Sequence, residues 1–502
     1  MAIKKYIAKK DNTITNAFGV DLSTRATGSN MGAADILEVF SIYGLQTTSS
    51  AELSRALIEF PIDNLSSDRA SGDIPDPGSV NFYLRVFNAR HSEQLPVNFT
   101  VNVFAISSSW QEGFGLDMET YSDKTKDNIE GSNWMYRDNN ANLWGTPGGE
   151  YHSSSYVSGS TMPNYTFTFQ EGYEDLFLDV TDAVEEWIAG NKSNYGFGVF
   201  LTSSFEAYHS NSSGVNDDEV LHNPDGQQKS CYTKRFFSRS SEFFFKKPVI
   251  EARWDSRVTD DRGNFYSSSS IAPAADNLNN LYLYNYIRGR LVDIPSTETL
   301  SVNLHASVDD SPSGPSLSTT TATKASTGVY RAQVNINTTS SVLHDVWSGS
   351  VGGEYKTGSI SIKNFNDTSV LLSDDYTRFV TKITNLKASY SKEEKARFKV
   401  FVRPRNFSPT IYSVANTDIE RVIIPSASYE IMRMVDERTI VNNSTGSATN
   451  HTYLSYDNSG SYFDLDMSLL EPGYMYGIKF AYHSSNDWRE QEEVFKFRVE
   501  DN

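Results

Sequence analysis

The stretch FLDVTDAVEEWIAGNKSNYGFGVFL, residues 177–201, decides the fold of the first part of the chain. It predicts a strand end, a short helix over residues 181–189, a turn and a second strand. Apolar residues at helical spacing form one stripe that includes Trp187. Because a helix of about two turns does not persist alone in water, this stripe must rest on a sheet.

Three acidic residues, Asp182, Glu185 and Glu186, lie off that stripe. They are either candidates for acid–base chemistry or the solvated face of the helix. Acidic residues near a helix start are favoured by the helix dipole, so no catalytic role is needed to explain them. We therefore expect all three to face water, with Asp179 or Thr181 capping the helix start.

Two glycines follow the helix. Gly196 and Gly198 share one face of the second strand, and Phe197 and Val199 share the other. We expect the two glycines to make room for Trp187, with Gly190 ending the helix.

The rest of the chain repeats this strand-rich pattern. Short alternating runs lie between clusters of Ser, Thr, Asn and Gly, and 13% of the 502 residues are aromatic, which favours strands. The pattern predicts an all-β, multidomain protein: residues 1–256 as a β-sandwich with one short helix, 257–386 as a linker plus a β-sandwich, and 387–502 as an Ig-like sandwich. Residues 309–327, DDSPSGPSLSTTTATKAST, are expected to form a turn or flexible loop.

The last segment carries a specific turn signal. In LEPGYMYGIKFAY, residues 470–482, the spacing L-x-P-G-x-x-Y ends on Tyr476 and resembles the tyrosine corner of immunoglobulin-like and fibronectin-type domains. The Tyr476 hydroxyl is expected to hold the turn while its ring enters the core.

Charge and cysteine content narrow the possible partners. The formal net charge of −19 disfavours nucleic acid and anionic membranes, and the lysines among residues 4–10 suggest a solvated end or edge strand. The single cysteine, Cys231, allows no intrachain disulfide and no cysteine-based zinc site. The chain shows no apolar run of signal-peptide or membrane-helix length, so we expect a soluble protein made in a cytosol.

The common catalytic and nucleotide-binding motifs do not occur, so we expect neither an enzyme nor a cofactor. An acidic loop at residues 216–226 offers Asp217, Asp218, Glu219 and Asp225 as oxygen ligands for Ca²⁺. Its spacing is irregular, which leaves it a weak calcium candidate.

A second polar excursion, residues 107–163, is rich in aromatic side chains. They can stack on sugars, anchor a protein interface, or close the end of the sandwich. The candidate binding residues are Trp110, Trp134, Tyr136, Trp144, Tyr151 and Tyr156.

Several spaced matches extend the opening stretch into a family resemblance. The segments RALIEFPI (55–62), FYLRVFNAR (82–90), VNVFAISSSWQEG (101–113), residues 178–201 and KRFFSRSSEFFFKKPVIEARW (234–254) together resemble the DNRLRE-type β-sandwich module. This resemblance implies a jelly-roll-like sandwich related to carbohydrate-binding modules, without a catalytic centre of its own.

The chain as a whole is similar to virion structural proteins of tailed phages, especially phages of marine cyanobacteria. The segments that carry this similarity are residues 276–295, 382–412 and 459–480. It implies a virion component assembled in the host cytoplasm that binds copies of itself and other virion proteins. The tail, baseplate or neck is favoured over capsid decoration, and the alternative is an adhesin for host-surface glycan.

Overall fold

The structure is a computed structural model. It describes residues 2–19, 23, 25–43, 51–91, 95–116, 131–138, 141–209, 221–229, 231–270, 273–274, 277–295, 297–306, 312, 314–351, 353–363, 379–405, 422–444, 450–484 and 487–501. These residues fall into two compact units, Ile3–Trp254 and Met1–Ala2 with Asp255–Asn502. The division lies two residues from the expected boundary at 256.

The first unit is an antiparallel β-sandwich with two α-helices in its described residues. Its strands are β1 (Ile3–Ile7), β2 (Lys10–Thr15), β3 (Ile36–Tyr43), β4 (Ala51–Glu59), β5 (Val80–Val86), β6 (Phe99–Ala105), β7 (Asn164–Phe169), β8 (Leu176–Asp179), β9 (Phe197–Leu201), β10 (Cys231–Phe237) and β11 (Val249–Trp254). One sheet has the order β1-β11-β5-β8 and the other β10-β3-β4-β9-β6-β7, with β2 on β4. Alternating strands such as β5 and β6 bury every second side chain in the core between the sheets.

The predicted helix is α2 (Thr181–Ile188), and it packs on the core through Ala183, Val184 and Trp187. Gly190 follows its end with a φ of 73°, as the sequence predicted. The prediction that the three acidic side chains of this helix face water is wrong for Glu186, which is buried. Its carboxylate accepts hydrogen bonds from the Gly159 N–H (2.7 Å) and the Asn191 side chain (2.8 Å), which replace the water it loses.

The expected role of the two glycines is also wrong. A Cβ on Gly198 would lie 2.1 Å from the Tyr151 ring, and one on Gly196, whose φ is 83°, would meet the Ile58 carbonyl oxygen at 1.9 Å. Trp187 instead packs against Phe197, with ring centroids 4.9 Å apart. Gly198 therefore makes room for the Tyr151 ring on the sheet face opposite Trp187, and Gly196 allows a close approach of the β4 backbone within the sheet.

A helix absent from the sequence prediction, α1 (Ile62–Ser71), follows β4. Only Leu65 of this polar segment is buried, so it has little of the apolar stripe that marks a helix in sequence. Its Arg69 forms a bidentate pair with Glu185 of α2, at 3.1 and 2.7 Å, so Glu185 is also not simply solvated.

The second unit contains two further β-sandwiches. The strands of the first are β12 (Phe265–Tyr266), β13 (Asn279–Tyr284), β14 (Tyr286–Ile287), β15 (Arg290–Leu291), β16 (Leu300–Ala306), β17 (Ser318–Thr321), β18 (Thr323–Ser326), β19 (Val329–Val334), β20 (Val342–Gly349) and β21 (Gly353–Lys363). Its sheets run β12-β21-β20-β16-β17 and β13-β19-β18, and β14 pairs with β15. The prediction of a loop over residues 309–327 is wrong at β17 and β18, which are strands at the edges of their sheets. Their side chains are mostly exposed, so the sequence of these strands lacks a core-forming pattern.

The last sandwich contains β22 (Phe379–Ile383), β23 (Ser389–Ser391), β24 (Lys395–Pro404), β25 (Ala427–Arg433), β26 (Arg438–Val441), β27 (Ser455–Asp457), β28 (Gly460–Asp466), β29 (Met475–Ser484), β30 (Asp487–Glu490) and β31 (Phe495–Glu500). Its sheets run β22-β24-β28-β27 and β23-β31-β29-β25-β26, with β30 on β29. Because β22 belongs to this sheet, the sandwich begins before the expected residue 387. Short 3₁₀ turns lie at Phe244–Lys246, Asp261–Gly263 and Met467–Leu469.

Tyr476 has the predicted role. Its ring is fully buried, and its hydroxyl donates a 2.7 Å hydrogen bond to the Glu471 carbonyl oxygen. The strand-rich, multi-sheet architecture of the described residues confirms the all-β, multidomain fold predicted from the sequence.

Candidate functional site

The three tryptophans proposed as binding residues lie inside the first unit. Trp110, Trp134 and Trp144 are buried in a second, smaller apolar cluster on the outer side of β2 and β4. The Trp110 indole N–H donates to the Tyr195 carbonyl (2.8 Å) and that of Trp144 to the Asn133 carbonyl (2.9 Å). Because all three rings are buried and the N–H groups of Trp110 and Trp144 are satisfied by backbone, these rings help to build the domain.

The three tyrosines have mixed positions. Tyr136 and Tyr151 are half-buried, and the Tyr151 hydroxyl donates to the Gly148 carbonyl at 2.9 Å. Tyr156 is exposed, and its hydroxyl donates to the buried Glu186 at 3.2 Å. The described part of the excursion, residues 107–116, 131–138 and 141–163, therefore covers one side of the sandwich, which agrees with the third role considered for these aromatic residues.

A buried ion pair lies under this cluster. Arg55 and Glu206 are 3.2 Å apart, and the Arg55 guanidinium lies 4.7 Å from the Phe200 ring centroid. Burial lowers the pKa of Arg55, but Glu206 more than compensates and raises it, so the guanidinium stays charged. No sequence motif marks this pair, because its members are 151 positions apart.

A cavity of about 520 Å³ opens beside the same cluster, in the described part of the first unit. It is lined by Lys10, Trp110, Gln111, Glu112, Gly113, Phe114 and Gly131. The Phe114 side chain is 58% exposed. The Lys10 ammonium contacts Glu59 at 2.7 Å and lies 5.3 Å from the Trp110 ring centroid. This pocket combines an accessible aromatic ring with fixed polar groups, which is the composition of a small-molecule or saccharide site.

Acidic residues form one wall behind this cavity. Glu112 makes a bidentate pair with Arg239 and accepts the Asp11 backbone N–H at 2.8 Å. Asp11 is buried, and its Oδ1 has no hydrogen-bond partner among the described residues. Burial raises the pKa of Asp11 to about 7, although the backbone N–H of Arg239 lowers it.

A second charged cluster lies on the outer face of the β1-β11-β5-β8 sheet. The fully buried Glu251 carboxylate contacts Lys5 (3.4 Å), Arg85 (3.2 Å) and Arg253. Burial raises the pKa of Glu251, but these three cations outweigh that effect and lower it to about 2. Lys4 and Lys5 lie in β1, an edge strand of its sheet, as predicted, whereas Lys10 lies in β2 of the other sheet. Lys4, Lys5, Lys9 and Lys10 each have an acidic partner.

The β14–β15 hairpin, in the described part of the second unit, has several exposed apolar side chains close together in sequence. Tyr286 and Ile287 are 61% and 52% exposed, and Val292 also faces solvent. The turn residues Arg288 and Gly289 have φ values of 51° and 79°. β14 and β15 pair with each other, and neither joins another described strand.

The calcium candidates fall mostly outside the described residues. Asp217, Asp218 and Glu219 lie there, and Asp225 is exposed. Among the residues that the structure does describe, no group of three or more His, Cys, Asp or Glu is placed to hold a metal ion. No described helix has the length and apolar character needed to cross a membrane.

No protein-family model and no curated protein matches the chain. Among solved structures, the fibronectin(III)-like modules of Clostridium thermocellum CbhA share 11% identity over 49% of this chain and 93% of theirs, with a TM-score of 0.14. The Yersinia pseudotuberculosis adhesin InvE shares 11% over 44% of this chain and 54% of its own, with a TM-score of 0.14. A titin structure shares 8% identity over 49% of this chain and 95% of its own, with a TM-score of 0.15.

Proposed function

We propose that the chain is a non-enzymatic structural component of a tailed-phage particle, on the tail, baseplate or neck side, and that it acts through protein–protein interfaces. The β14–β15 hairpin is the observation that carries this proposal. Its partners are copies of the same chain or other virion proteins, assembled in the host cytoplasm.

The hairpin has the composition of an interface anchor. Tyr286 and Ile287 expose apolar area, and Arg288 and Arg290 add charge of the sign opposite to the −19 of the chain. Tyrosine and arginine are enriched at the centre of protein interfaces. Since a two-stranded hairpin is marginally stable alone, a partner that covers it would also stabilise it.

The test replaces Tyr286 and Ile287 with serine in a phage that carries the variant gene. We expect the double variant to fold with an unchanged Tm and to be lost from purified particles, as quantified by mass spectrometry. Val351→Ser is the matched control, because this side chain is 79% exposed in the same sandwich but lies outside the hairpin. If purified wild-type particles lack the chain, the virion role is refuted. If the double variant is incorporated normally, the hairpin is not the interface that holds the chain in the particle.

A second candidate function is glycan binding at the cavity of the first unit, which is favoured by the exposed Phe114 ring beside Lys10 and Glu112. Aromatic rings stack on the apolar face of sugars while polar groups bind the hydroxyls. Phe114→Ala should abolish binding on a glycan array. Leu116→Ala, at an apolar residue that is 66% exposed nearby in sequence, should not. An array with no wild-type signal would exclude this function without affecting the first proposal.

A further inference from the structure

Strand β7 lies at one end of the larger sheet of the first unit. Among the described strands it pairs with β6 alone. The side chains of Asn164, Thr166 and Thr168 are exposed on the outer face of the sheet. Those of Tyr165 and Phe167 are half-buried and pack against the core on the inner face. In the described part of the chain, one long edge of β7 is therefore open to a further strand.

The hydrogen bonds of β6 indicate which backbone groups of β7 face the open edge. The Thr100 carbonyl oxygen accepts the N–H of Thr202, directly after β9, at 3.1 Å. Even-numbered residues of β6 therefore bond towards β9, and odd-numbered residues bond towards β7. Because odd-numbered residues of β6 lie opposite odd-numbered residues of β7, the N–H and C=O groups of Thr166 and Thr168 point away from β6, to the open edge.

The composition of β7 differs from that of the other edge strands described in the first unit. Strands β1, β2, β8 and β10 each contain at least one charged residue. Charged residues, proline and β-bulges at an edge prevent it from pairing with another chain. Strand β7, with the sequence NYTFTF, contains no charge and no proline, and its register with β6 has no irregularity. It therefore lacks the features that block an edge.

The outer face beside this edge is also uncharged. The residues of β6 that lie opposite Thr168, Thr166 and Asn164 are Thr100, Asn102 and Phe104. The Thr100 and Thr168 hydroxyls are 2.9 Å apart. Two copies of a chain with a net charge of −19 repel each other wherever acidic surfaces meet, so an uncharged edge with an uncharged face is a place where they can approach.

From these observations we propose that β7 pairs antiparallel with β7 of a second copy of the chain, so that two sheets become one continuous sheet. With the two-fold axis at Thr166, this residue lies opposite its own copy and Asn164 lies opposite Thr168 on the outer face. Tyr165 then lies opposite Phe167 on the inner face.

Several effects stabilise this pairing. The outward backbone groups exchange about six hydrogen bonds. Thr–Thr and aromatic cross-strand pairs add to them, and no like charges face each other within the paired strands. The pairing rests on the proposed function in that copies of the chain are its partners, but it uses a different surface from the β14–β15 hairpin.

The first test is sedimentation velocity of the purified full-length chain at about 1–100 µM. We expect the wild type to change from monomer to dimer within this range. Thr166→Lys should weaken association at least about tenfold, because two ammonium groups would lie opposite each other. Asn102→Lys is the matched control, since it adds the same charge on β6, opposite Thr166. It would lie three strand spacings, about 14 Å, from its copy, beyond the screening length, and should dimerise as the wild type does.

A mixture of two charged variants tests the register. Thr166→Lys and Thr166→Glu should each be monomeric alone, whereas their mixture should form a heterodimer, because opposite charges then face each other across the two-fold axis. Native mass spectrometry distinguishes this heterodimer from either homodimer. Both variants should keep the Tm of the wild type, since their side chains lie on an exposed position of an edge strand.

Hydrogen exchange of the wild type does not depend on any variant folding. The amides of Thr166 and Thr168 should exchange more slowly at high than at low protein concentration, because they become bonded in the dimer. A wild type that stays monomeric over the whole range would overturn the proposal. A dimer that persists in Thr166→Lys would overturn it as well and would indicate another surface. Neither result affects the virion role, which is tested by the presence of the chain in particles.

Discussion

Replacing Gly198 with alanine should destabilise the first unit, because the new methyl group has no free volume. Its Cβ would lie 2.1 Å from Tyr151 Cε1, whereas ordinary contacts begin at 3.4 Å, so the ring must withdraw by about 1.3 Å. The ring is held by its hydroxyl bond to Gly148 (2.9 Å) and by packing on Phe200, with ring centroids 4.7 Å apart. The substitution therefore strains a fixed side chain.

The expected size follows from two opposing effects. Overpacking costs about 1–3 kcal/mol, while the loss of glycine flexibility in the unfolded chain returns about 0.4–1 kcal/mol. The net loss is about 1–2 kcal/mol, which corresponds to a Tm lower by roughly 3–7 °C for a unit of this size. Differential scanning calorimetry of the full chain should show this shift in the transition of the first unit.

A double-mutant cycle tests the reason for the shift. Gly198→Ala combined with Tyr151→Val should be less destabilising than the sum of the single substitutions, by at least about 1 kcal/mol. Combined with Trp187→Val, it should be additive within about 0.5 kcal/mol, since Trp187 lies on the opposite face of the strand. Coupling to Trp187 without coupling to Tyr151 would refute this packing and restore the arrangement expected from the sequence.

Three further substitutions should change stability in defined ways. Glu251→Gln leaves three cations without their carboxylate and should lower the free energy of unfolding by about 3 kcal/mol at pH 7. Folding lowers the pKa of Glu251 from 4.5 to about 2, so the wild-type carboxylate loses its stabilising charge as the pH falls from about 5 to about 2. Urea unfolding curves should therefore show a smaller difference between the two proteins at low pH. Folding raises the pKa of Asp11 to about 7, so ionisation of this carboxyl opposes folding as the pH rises. Asp11→Asn should therefore increase the Tm at pH 8 but change it little at pH 4. An equal change in Tm at the two pH values would contradict this. Tyr476→Phe removes the bond to the Glu471 carbonyl and should cost about 1–2 kcal/mol in calorimetry of the second unit; no loss would mean that water replaces the hydroxyl.

The local pattern of the sequence was sufficient for the elements that depend on local periodicity. The apolar stripe that includes Trp187 predicted α2, and the spacing around Tyr476 predicted the turn and its hydrogen bond. In each case the signal and the contact lie within a few residues of one another. Helix α1 has no such signal, because only Leu65 is buried and its remaining contacts come from distant parts of the chain.

The position of the aromatic residues in the excursion 107–163 could not be read from the sequence. Exposed and buried tryptophans have the same neighbours in a polar loop, and burial depends on whether the loop folds back over a sheet. Trp134 lies in the smaller core because the described residues of the excursion pack on the outer side of β2 and β4. The exposed ring at the cavity is Phe114, which the sequence did not single out.

The sequence by itself determined the all-β class, the helix of residues 177–201 and the tyrosine corner, because hydrophobic periodicity and turn chemistry act over a few residues. Only the tertiary structure decided what Gly198 makes room for, that Glu186 is buried, and that Lys234 meets Asn88. These outcomes depend on contacts between different segments of the chain that only the complete fold brings together. A local pattern therefore contains no record of them.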